Sequence, residues 1–107
     1  MIASTANARI STVYDEHFPP YWLVSHPALH RSLHVDPAHP DNISRADAAS
    51  YARGWEIAGG DLWRGLVAAL VEQRGVEERH AERIVDAWEM WSWGKQPGFI
   101  VEAVAHA

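Results

Sequence analysis

Three histidines raise the first chemical question. His26, His30 and His34 recur at every fourth position, a spacing that lines one face of an α-helix. Such a row can chelate Zn²⁺, with Asp36 or His39 adding a ligand and water completing a tetrahedron. Two features count against it: no Glu follows His30 to serve as a general base in the manner of HExxH sequences, and Pro27 leaves little helix to hold His26 in line. The balance favours solvated or capping imidazoles. No cofactor is expected.

Other catalytic arrangements fail on spacing. Ser, His and acidic residues are all present, but there is no nucleophile elbow. Gly59-Gly60 lacks the Lys and Ser/Thr of a phosphate-binding loop, and Asp15-Glu16 are adjacent carboxylates that do not face each other on a helix. The chain has no Cys, which removes thiolate nucleophiles, thiolate zinc sites and iron–sulfur ligation together. The expectation is a protein that is not an enzyme.

What remains is the chemistry of contact. If Glu77–Trp93 is helical, counting 100° per residue from Ile84 sets Trp93 on the side away from the core, alongside Glu78, Glu82, Asp86 and Glu89, with Met90 between the two faces. Trp and Met are enriched at protein interfaces, and a charged rim sets orientation. Trp55, Trp63 and Trp88 instead fall on inward faces and read as core. The segment Phe18-Pro19-Pro20-Tyr21-Trp22 carries three aromatics on rigid backbone. Its density of aromatics favours a strap over the helical core rather than an exposed ligand loop.

Leu70–Ile84 has the outline of a helix-turn-helix, with the turn at Gly75-Val76. Arg79 and Arg83 would meet phosphates, but Glu77, Glu78 and Glu82 share that face, and carboxylates oppose nucleic-acid binding. A DNA-binding regulator is therefore the alternative function, and a His-based metal protein the third.

These side chains need elements to hold them. Ser44-Arg45-Ala46-Asp47 has the form of a capping box, the Ser hydroxyl accepting from a backbone N–H and the acid reaching back to the cap. It predicts helices at Arg45–Ala58, ended by Gly59-Gly60, at Leu62–Arg74, capped by Asp61 and ended by Gly75, and at Glu77–Trp93, ended by Gly94. Pro97 favours a short terminal helix containing Phe99, Ile100, Val101 and Val104. The first 43 residues hold five of the six prolines and five of the seven histidines, so regular structure there is expected in short pieces. A helix over Thr5–Tyr14, a break at His17–Pro20, and a short helix from Pro27 to His34 ended by Asp36-Pro37 are predicted. The fold expected is all-α: a small bundle of three main helices with an irregular Pro/His-rich N-terminal half.

Length and charge narrow the function. The chain has 107 residues, 48% of them hydrophobic and six of them Trp, enough for one core and one domain. Its net charge of −5 argues against general nucleic-acid or anionic-membrane binding and for a protein partner with a basic surface. Its start lacks a basic cluster followed by an apolar run, its longest apolar stretch is Leu66–Val71, and it has no Cys; together these lead to the expectation of a cytoplasmic protein. The function expected is a binding module, adaptor or inhibitor. Small acidic cysteine-free chains without motifs are common among phage and mobile-element products that disable host nucleases, anti-CRISPR proteins included; the analogy is one of composition alone.

Overall fold

Residues Arg9 to Tyr14 include the β-branched Ile10, Thr12 and Val13, types that suit a pleated surface covered on one side. The computed structural model, which describes residues 7–95, places them in strand β1 (Arg9–Asp15). Strands β2 (Phe18–Ser25) and β3 (Leu33–Val35) complete an antiparallel sheet in the order β1-β2-β3. Three helices follow: α1 (Arg45–Ala58), α2 (Gly60–Arg74) and α3 (Glu78–Ser92). The fold is α+β, which corrects the all-α bundle. The predicted N-terminal helices are corrected where they are described: from Arg9 on, β1 replaces the one over Thr5–Tyr14, whose first residues lie outside the described ones, and turns leading into β3 replace the one from Pro27 to His34. The predicted terminal helix after Pro97 lies outside the described residues.

The break predicted at His17–Pro20 is a hairpin. Glu16 and His17 form the turn, and the Asp15 carboxylate accepts from the His17 N–H at 2.8 Å. Val13 pairs with Tyr21 and Asp15 with Phe18, so Pro19 and Pro20 together oppose Tyr14 alone in a bulge. β3 reaches only from Trp22 to Val24 along β2, so at the prolines β2 has a single neighbour and the missing N–H groups break no second ladder.

Register determines which side is buried. Ile10, Val24 and Leu33 align across the three strands, and Thr12, Trp22 and Val35 form the next row on the same face. That face joins the core, where Leu62, Leu66, Leu70, Ile84, Val85 and Trp88 are fully buried. α1 packs on β3 and α2 on β1, while α3 lies on α1 and α2 rather than on the sheet. One side of α3 therefore seals the core, and among the described residues the other turns outward, with α2 along its edge.

The helix signals hold with local changes. Ser44 Oγ accepts from the Asp47 N–H at 3.1 Å and Gly59 takes φ 52°, a left-handed setting that favours glycine. At the end of α2 the Gly75 N–H reaches Val71 O and the Val76 N–H reaches Leu70 O, both at 3.1 Å, a Schellman pair with Gly75 at φ 67°. Asp61 does not cap α2. The helix begins two residues earlier, at Gly60, and Asp61 instead accepts from Arg64 at 2.6 Å one turn on.

Two devices tie sheet to helices. The Gln73 side chain accepts from Ile10 N at 2.8 Å and donates to Ala8 O at 2.9 Å, acting as a short extra strand against edge β1, and Arg74 donates to Ile10 O at 2.5 Å. Such cover protects a sheet edge from intermolecular pairing. On α1, Asp47 does not reach back to Ser44 as a capping box requires. Its carboxylate accepts from the His34 N–H at 3.2 Å and faces Arg31 Nε at 3.5 Å. Ser50 accepts from Arg31 N at 2.8 Å and donates to Arg31 O at 2.9 Å. Asp47 and Ser50, both buried, thus fasten the chain entering β3.

Candidate docking surface

α3 is built from a strongly two-sided sequence. Ala81, Ile84, Val85, Ala87 and Trp88 are buried on one side. Trp88 is the anchor: it is wholly buried, its indole N–H donates to Pro40 O at 2.8 Å, and it meets Tyr51 edge-on at 6.4 Å between ring centres. Burying an aromatic of this size contributes about 4–6 kcal/mol before ordering costs.

On the other side lie the residues singled out for contact. Glu78 and Glu82 face Glu72 of α2 across a groove of about 270 Å³ whose apolar wall includes Val67, Ala68 and Val71. Trp63 and Arg64 also line it. None of Glu72, Glu78 and Glu82 forms an ion pair among the described residues. Asp86 departs from a free contact residue, because it accepts from Trp63 Nε1 at 2.8 Å. Trp63 therefore closes the α2–α3 seam from outside rather than sitting wholly within the core. Glu89 is half-buried, and burial first, then the nearby Asp86, raises its pKa above the ordinary carboxylate value. Met90 is 41% exposed and Trp93, one residue past the helix end, is 60% exposed. From Glu78 to Trp93 the stripe runs about 22 Å at 1.5 Å per residue.

The histidine row does not assemble. His26 lies in a turn where its Nδ1 accepts from Ala28 N at 3.0 Å, and burial lowers its pKa. His30 is exposed, and His34 sits on β3 with its ring stacked on Tyr21 at 3.9 Å. Among the described residues no three His, Asp or Glu side chains are grouped to hold a metal ion. The spacing of four loses its meaning once the backbone is not helical.

The aromatic segment of β2 also divides differently from a strap. Trp22 packs against the core, but Phe18 is 67% exposed and, with Pro19, Pro20 and Tyr21, lines a pocket of about 330 Å³ that also takes in His34 and the carboxylates of Asp15 and Asp36. Sequence reasoning missed this site. The β-branched Ile10, Thr12 and Val13 were the signal available, since a hairpin here carries Asp15 and Phe18 to one end.

The chain matches no family model, no curated protein and no solved structure. No described helix is long and apolar enough to cross a membrane.

Proposed function

We propose that this chain is a non-enzymatic protein-binding module, an adaptor or an inhibitor, that docks on a basic surface of a protein partner through the outer side of α3 and the α2–α3 groove. The observation that carries the reading is the apolar groove wall of Val67, Ala68 and Val71 with Glu72, Glu78 and Glu82 around it, none of them in an ion pair among the described residues. Carboxylates left without cations attract Lys and Arg over long range and speed encounter, while desolvated apolar contacts supply most of the affinity. The exposed Trp93 and Met90 extend the stripe with side chain types that anchor interfaces. An inhibitor of a nucleic-acid-handling enzyme is a concrete form of this reading, because such an enzyme presents the basic surface the stripe would cover. The lack of Cys suits a cytoplasmic setting.

Two measurements test it. Partner recovered from host extract on the immobilised parent chain should elute as salt is raised, and should be lost on a Glu72→Lys/Glu82→Lys variant of unchanged helicity. Random duplex DNA should show no shift with the parent. Submicromolar, salt-sensitive DNA retention would replace this reading with a regulator using Arg79 and Arg83.

A further inference from the structure

We propose that the pocket at the end of the β1–β2 hairpin receives one arginine side chain of a partner protein. It lies on the sheet, is built from different residues than the α2–α3 groove, and stands whether or not that groove docks a partner.

Three properties point to a planar cation. The first is a preformed aromatic surface: Tyr21 and His34 stack at 3.9 Å with their planes 18° apart, so each ring fixes the other before a ligand arrives. A guanidinium stacks on such a surface through both its charge and its flat shape, which an ammonium cannot match. The second is unneutralised negative charge. Asp15 Oδ1 accepts from His17 N at 2.8 Å and Asp36 Oδ1 accepts from Ala38 N at 2.9 Å. The turns thus fix both carboxylates through one oxygen and leave the other for a ligand. Neither acid is in an ion pair among the described residues, and no Lys or Arg lines the pocket. The third is shape. Pro19 and Pro20 give a rigid apolar wall suited to a methylene stem. The volume of about 330 Å³ stands at the small end of ligand sites, which run from about 300 to 1,000 Å³, and so fits one side chain rather than a helix.

The test uses the full chain and N-acetyl-L-arginine N-methylamide as probe, followed by NMR, with the uncharged citrulline analogue and the lysine analogue alongside. The arginine probe should give saturable millimolar shifts at Phe18, Tyr21 and His34, and bind about tenfold or more tightly than the citrulline probe, as expected for a charge-assisted and stacked contact. Asp15→Asn/Asp36→Asn keeps an Oδ1 acceptor in each turn and should retain the parent melting temperature while losing about tenfold in affinity. Tyr21→Leu offers a second route if that variant proves unstable, and should also weaken binding. The proposal is overturned by shifts that do not saturate, by equal binding of the citrulline or lysine probe, or by a folded variant that binds like the parent.

Discussion

Asp47 on α1 and the glutamates around the α2–α3 groove are all helix carboxylates, yet their surroundings differ in kind. Asp47 is 1% exposed, and its charge is met by the His34 N–H, by Arg31 and by its place in the first turn of a helix. Glu78 and Glu82 stand on the helix that packs on other helices rather than on the sheet, exposed and half-exposed, and neither is in an ion pair among the described residues. The difference separates fold from contact. A buried carboxylate must have its hydrogen bonds within the chain, whereas one left solvated without a cation is free to meet a partner's.

Substitutions should divide along the same line, beginning with the core that both regions depend on. Trp88→Ala removes the largest buried side chain and its bond to Pro40, and should cost about 3–5 kcal/mol in chemical denaturation. Next comes Asp47→Ala, which leaves the His34 N–H without its acceptor. It should cost about 2–3 kcal/mol, below the full penalty of a broken buried ion pair because Arg31 is 56% exposed. A loss under about 0.5 kcal/mol would erase the contrast with the groove glutamates. Gly54→Ala tests the seam between α1 and α2: its Cβ would stand 2.9 Å from Leu62 Cδ2 and 3.0 Å from Ala28 O. The second contact is backbone and cannot swing aside, so overpacking should cost about 1–3 kcal/mol.

Glu89 lies between the two regions, and pH can sharpen its place. Its folded pKa is raised by burial and by Asp86, so the folded chain prefers its protonated form. That preference is fully present below the ordinary carboxylate pKa and is lost as pH rises through the folded value. Glu89→Gln should therefore raise the melting temperature slightly at neutral pH and leave it unchanged in acid, below the ordinary carboxylate range. The smallest stability effect belongs to Trp93→Ala, at under about 0.5 kcal/mol, with weaker partner capture. A large fall in melting temperature would assign Trp93 to the core instead.

The helical region was legible because its apolar residues repeat at one period over long runs and its ends carry glycines with positive φ; Arg45–Ala58 was located to the residue. The sheet was not: at Arg9–Tyr14 only the β-branched Ile10, Thr12 and Val13 favour a strand, while Ile10, Val13 and Tyr14 fall at helical spacing. Pro19-Pro20 read as a break because proline pushes the residue before it out of the α region, a restriction that a strand tolerates, and here a bulge and a short β3 accommodate both prolines in β2. Counting along α3 sets Trp93 outward and Met90 between the two faces; they are 60% and 41% exposed. Glu72 and the apolar groove wall were not foreseen, since they depend on how α2 lies beside α3, and a single helix period carries no such information.

The most direct test of the docking surface is calorimetric titration of the recovered partner against the parent chain and against Glu72→Lys/Glu82→Lys, at low and at physiological salt. The variant should keep the parent's melting temperature within a few degrees, bind the partner about tenfold or more weakly, and show a smaller salt dependence. Equal affinity and equal salt dependence in a folded variant would contradict docking through this surface.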